Sequence, residues 1–166
     1  MRIISGVGLM FVFAALSAPI RTPAANIPDF SGSYSLKSVK GEEKPDRSDA
    51  LSLQIAQTAD EIKITTVTDG HPSTESFPLG QSGGHCGGAA SADSKCTAQW
   101  TGKLLELEMV YTAHPTENGP EIEMHTRERL QLSSDGKTLT IRTETKAPEY
   151  PALDMTPATT EVYEKY

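Results

Sequence analysis

Glu121–Lys146 reads EIEMHTRERLQLSSDGKTLTIRTETK. Two runs of alternating character flank the turn Ser134-Asp135-Gly136-Lys137. Ile122, Met124, Leu130 and Leu132 share one parity, joined across the turn by Leu139 and Ile141. The other parity carries Glu123, His125, Arg127, Arg129 and Gln131, then Thr140, Arg142 and Glu144. Successive side chains of a strand point to opposite faces, so this pattern predicts a hairpin with one dry face and one wet face. Asp-Gly supports the reversal, because glycine accepts the positive φ of a tight turn.

The rest of the chain repeats this pattern. Phe30–Leu36 opens it, with Tyr34 and Leu36 on one parity. Leu51, Leu53 and Ile55 alternate with Ser52 and Gln54, and Ile62, Ile64 and Thr66 follow a short reversal. Asp69-Gly70 turns the chain towards a short fourth strand containing Phe77 and Leu79. Ala98 and Trp100 mark a fifth, and Leu105, Leu107, Met109 and Tyr111 a sixth. After the central hairpin, Thr159–Tyr166 closes the chain. Gly41–Asp49 is charged, contains Pro45 and reads as a solvated loop. Gly80–Ser94 is irregular and holds five glycines, and the Pro-rich stretch Ala147–Pro157 is expected to lie extended over the surface. Outside the N-terminus no segment has a helical period.

The fold class that follows is all-β: an antiparallel up-and-down meander of eight or nine strands closing into a lipocalin-like barrel or half-barrel. An open sheet with one apolar face needs a cover, and no helix is present to supply one. Closure satisfies both the face and the edges. A two-sheet sandwich is the alternative, but its crossovers require longer connections than most of those present.

At 166 residues the chain is long enough for one small domain. Met1-Arg2 is followed by an uncharged apolar run, Ile3–Leu16, and by small residues ending in Pro23-Ala24-Ala25. This reads as a signal peptide over residues 1–25, preceding a single β domain over 26–166. The run is shorter than the ~20 residues a spanning helix needs, so no stable membrane anchor is expected after cleavage. The expected location is periplasmic or secreted. Loss of Arg2 and Arg21 would take the net charge from −7 to −9. Such a chain has no basic stripe for nucleic acid and little attraction to anionic lipid. In an exported chain the two cysteines, Cys86 and Cys96, are expected to form a disulfide, and their spacing is not the Cys-x-x-Cys of a redox pair.

Asp29-Phe30-Ser31-Gly32-Ser33-Tyr34 resembles the Phe-x-Gly-x-Trp opening of small exported bacterial proteins with a lipocalin-like (calycin-type) β-barrel, with Tyr34 in the place of the Trp. Leu132–Thr140 resembles their penultimate hairpin and Val162–Lys165 their closing strand. The resemblance implies the barrel fold, and since most such proteins have no established activity it implies little about function.

Several residues could carry function. On the inward parity of the central hairpin, Thr126 and Glu128 interrupt the apolar series, with Thr143 and Thr145 continuing it on the partner strand. A carboxylate among apolar neighbours is costly unless paired or hydrated. Glu128, Thr126 and Thr143 are therefore candidate ligand contacts, with Trp100, Met109, Met124 and Tyr34 lining the same interior beside Leu105 and Leu107. The reading favoured over this one is that this end of the strand lies at the barrel mouth, or that a bulge shifts its parity. His85, Cys86, Cys96 and His71 have metal-ligand chemistry, but a disulfide would consume both thiolates, and no metal or other cofactor is expected. No nucleophile elbow, metalloprotease motif or phosphate-cradling loop is present, so no catalytic residues are assigned. Outward charges at Glu106, Glu108, Arg127, Arg129, Arg142 and Glu144 are placed to pair across strands. Exposed tyrosines at 111, 163 and 166 would favour a protein-docking face. The main expectation is a non-catalytic binding protein for a small apolar or amphipathic ligand. The alternatives are a filled barrel that binds another exported protein, as an interaction or inhibitor module, and a calycin-type enzyme.

Overall fold

The computed structural model of the chain describes residues 27–40, 51–80, 84–86, 94–114, 119–150 and 158–166. The signal peptide expected over residues 1–25 lies outside them, as do the loop 41–49, most of the glycine-rich segment and residues 151–157. The alternating runs form ten strands. They are β1 (Gly32–Lys40), β2 (Ser52–Gln57), β3 (Glu61–Thr68), β4 (His71–Pro78), β5 (Gly84–His85), β6 (Lys95–Thr101), β7 (Leu104–Ala113), β8 (Ile122–Leu132), β9 (Thr138–Lys146) and β10 (Thr159–Lys165). Nine are long and β5 has two residues. No helix occurs among the described residues.

Each strand pairs antiparallel with its neighbour in sequence, except that β4 does not pair with β5, and β1 pairs with β10. The result is a nearly closed antiparallel barrel with one seam, between β4 and β5–β6. The turns follow their residues. Asp69 and Gly70 both have positive φ, 51° and 80°, as a two-residue hairpin demands. In the central hairpin Gly136 has φ 71°, and the Asp135 carboxylate accepts from the Ser133 hydroxyl and the Lys137 N–H.

The seam has a local cause. Leu79 donates its N–H to the Asp60 carbonyl at 2.8 Å, continuing the β3–β4 register. Odd-numbered positions of β4 therefore aim their backbone groups at β3, and even-numbered positions aim theirs at the seam. Pro72 and Pro78 are even-numbered and have no N–H, so half of the four donors β4 could offer there are missing. With β5 so short, β6 runs parallel to β4 across the gap and meets it at a single bridge, Leu79 to Ala98. The fourth strand, expected to be short, is in fact eight residues long. Its two prolines suit an edge and would not suit a central strand.

Inward residues fill one end of the barrel. Phe30, Tyr34, Ile62, Phe77, Leu105, Leu130, Leu139 and Tyr163 are essentially inaccessible there. Trp100 tilts against Phe30 with ring centroids 5.7 Å apart. The Tyr34 hydroxyl donates to the Phe30 carbonyl at 2.7 Å, which holds the lead-in segment across the floor. Outward charges pair as their register dictates. Arg129 bonds Glu106 at 3.0 Å, Arg127 lies 3.3 Å from Glu108, and Arg142 bonds Glu144 at 3.0 Å. Tyr111 and Tyr163 take inward positions, which leaves Tyr166 as the exposed member of the tyrosine set whose exposure would favour a docking face. One expectation needs correction. Ala147 is fully buried, and the chain turns there through a Tyr150 N–H to Ala147 carbonyl bond, so the stretch from Ala147 does not begin as a surface extension.

Cys86 and Cys96 are disulfide-bonded, with Cα atoms 5.3 Å apart, and Cys96 is fully buried on β6. The bond ties the seam-side segment after β5 to the barrel wall. Closing a loop of this length stabilises by about 2–3 kcal/mol, chiefly through the unfolded chain. Cys86→Ala, which leaves the buried Cys96 in place, should lower unfolding free energy by about that amount in urea titration. Under reducing conditions the difference from the parent protein should disappear.

Candidate functional site

The barrel interior has two unlike halves. Below is the apolar floor just described. Above it, beyond Leu107, Leu130 and Ile141, the inward positions of β7–β9 mix polar and apolar side chains, and all but Ile122 at the far end of β8 are only partly covered. Thr126, Glu128 and Met124 on β8, Thr143 and Thr145 on β9, and Met109 and Tyr111 on β7 all retain accessible surface. The Thr126 and Thr145 hydroxyls bond each other at 3.1 Å. The register of β8 with both neighbours is unbroken, with Glu128 opposite Leu107 and Thr143. No bulge shifts its parity, so Glu128 points inward. The irregularity in the wall lies instead in β1, between Leu36 and Ser38.

Two further carboxylates share this level. Glu75 on β4 is opposite the inward Ile64, and Glu161 on β10 is opposite the inward Ile141. Each of the three acids stands two residues before a fully buried floor residue: Glu75 before Phe77, Glu128 before Leu130 and Glu161 before Tyr163. The pleat therefore sets each carboxylate one inward step above the floor. Tyr163 donates its hydroxyl to Glu161 at 2.8 Å. Burial raises the Glu128 carboxyl to about 7, with the charges of Glu75 and Glu161 adding to the rise. Burial also raises Glu75.

Of the residues expected to contact a ligand, Glu128, Thr126, Thr143, Met109 and Met124 lie together in the upper half. Tyr34 is sealed into the floor, and Trp100 packs beside it on Phe30. Both are placed to support the site from below. Glu75 and Glu161 were not singled out by sequence reasoning. The available signal was their position on the parity of Phe77 and Tyr163. The outer wall carries a groove of about 150 Å³ lined by Glu108, His125, Arg127, Glu144, Lys146 and Pro148, within which the charges largely compensate one another. Among the described residues no group of three His, Cys, Asp or Glu is placed to hold a metal ion, and no helix is long and apolar enough to cross a membrane.

The barrel fold has counterparts among solved structures. The fluorescent protein UnaG superposes with a TM-score of 0.53 at 14% identity, over 82% of this chain and 97% of that one. The fatty acid transporter REP1-NXSQ superposes with a TM-score of 0.54 at 13% identity, over 82% and 96%. The chain shares their barrel fold. That fold agrees with the lipocalin-like layout read from the strand pattern. No protein-family model matches the sequence, and no curated protein does.

The position of Glu128 has a consequence for stability. Its folded-state value, about 7, lies above the ordinary glutamate value of 4.5. The folded chain therefore holds the extra proton between these values, and stability is lost as pH rises through that window. The loss is about 3 kcal/mol by pH 8. Glu128→Gln should raise unfolding free energy by on the order of that amount at pH 8 and leave it nearly unchanged at pH 4. Paired urea titrations at the two pH values would measure this, and an equal effect at both would contradict it.

Proposed function

We propose that the protein is an exported carrier that holds a small apolar or amphipathic molecule inside the barrel without transforming it. One observation carries the reading: inward side chains of the upper half, centred on Glu128, stay partly accessible above a floor that is fully packed. A filled barrel would carry apolar residues at these positions, because an unpaired buried carboxylate is costly. A barrel of this strand number is wide enough to hold one small ligand. A concave, largely apolar site with a few convergent polar groups is the usual form of a small-molecule site. The shared fold with a fatty acid transporter supports the same direction. Location in the periplasm or outside the cell is supported by the signal-like N-terminus and by the Cys86–Cys96 disulfide. No catalytic role is proposed, since fold alone warrants none.

Native mass spectrometry of the protein purified from its own source tests this directly. The expected result is a mass excess that is lost on denaturation and absent from Glu128→Leu. A clean apo mass would favour the filled barrel and a protein partner.

A further inference from the structure

The interior has a sign as well as a shape. Glu75, Glu128 and Glu161 enter it from β4, β8 and β10. With one exception, the cations of the described wall do not. Arg127, Arg129, Arg142, Lys63, Lys95 and Lys146 all take outward positions, and several are already paired with outer-face acids. Lys165 is the one Lys or Arg of the described strands on the inward parity, and it is committed at the floor. Its ammonium donates to the Ser31 carbonyl at 2.6 Å and lies 5.7 Å from the Tyr34 ring centroid. The acids of the upper half therefore have no cationic partner among the described residues.

We propose that the interior selects a basic amphiphile, with a protonated amine at the level of Glu75, Glu128 and Glu161 and an apolar tail against the floor. The proposal rests on the reading of the barrel as a carrier. A carboxylate head, such as that of a fatty acid, would enter beside Glu75 and Glu128, both already costly to ionise, and would meet no counter-charge. An ammonium offsets their charge and donates several hydrogen bonds. The Tyr163 hydroxyl bonded to Glu161 fixes one of the acceptors, and the Thr126–Thr145 pair supplies a neutral polar edge. The raised Glu128 carboxyl agrees with this, because a nearby cation is what would stabilise its ionised form.

Isothermal titration of the disulfide-intact protein at pH 8 with decylamine, decanol and decanoate, each below its micelle concentration, separates the possibilities. The tail is the same in all three, so decanol reports on the carrier reading alone. The expected order is amine tightest, by tenfold or more over decanol, with decanoate weakest. In Glu128→Gln/Glu161→Gln the amine should fall to within about threefold of decanol. Decanol affinity should hold. Glu75→Gln alone should give a smaller change in the same direction, and far-ultraviolet circular dichroism checks that each variant is folded. Decanoate binding as tightly as the amine, or amine binding that survives the double variant, would overturn the selectivity and leave the carrier reading intact. Failure of all three probes to bind would overturn both.

Discussion

Pairing of the first strand with the last is the constraint on which the rest of this barrel depends. Every other ladder of paired strands joins neighbours in sequence. β1 and β10 must instead find each other across most of the chain, with Ser31 and Lys165 separated by 134 residues. The junction is built for that closure. The Lys165 ammonium donates to the Ser31 carbonyl and sits over Tyr34, while the Tyr34 hydroxyl holds the Phe30 carbonyl. Gly32, at φ 151°, lets the Lys165 side chain cross where a Cβ would collide with its Cε. Loop closure of this length costs only slightly more than that of a loop half as long, so a modest set of floor contacts offsets it. Without that pairing the apolar face of the meander would have no partner.

Closure at the junction makes the seam tolerable elsewhere. A barrel with one firm seal can leave a gap, provided that the open edges do not recruit another chain. Here Pro72 and Pro78 withhold donors from the β4 edge, and the disulfide ties the segment after β5 to β6. The two devices act on different strands and by different physics. One removes hydrogen-bonding capacity, and the other restricts the chain.

Much of this was legible in the sequence. The strands with a clean apolar parity, β2, β3, β7, β8 and β9, were located by alternation alone, and the Asp-Gly turns marked the β3–β4 and β8–β9 hairpins. The inward direction of Glu128 followed from the same alternation. The two other acids were hidden for a physical reason. On β4 the inward series ends in Glu75 and Phe77, so a single apolar residue marks the face, and two prolines make the strand look broken. On β10 the outward Val162 competes with the inward Tyr163 for the reading of the face. A strand that places an acid inside has, by that act, a weak hydrophobic period. Sites of this type erase the signal that would locate them.

The distribution of charge gives the interior its character. On the outer wall, acids and cations stand opposite each other in register and compensate, which contributes little to stability but leaves no strong local field. Inside, three acids stand above an apolar floor with no such compensation from the described wall. The same residue types thus serve two ends according to the parity they occupy. A shift of one residue in register would exchange them, placing Arg127 and Arg129 inside and Glu128 outside. Register is held by Leu130, Leu107 and Leu139 in the floor, each of which would be driven into water by that slip. The floor therefore does more than fill space. By pinning register, it determines the sign of the charge that faces the interior.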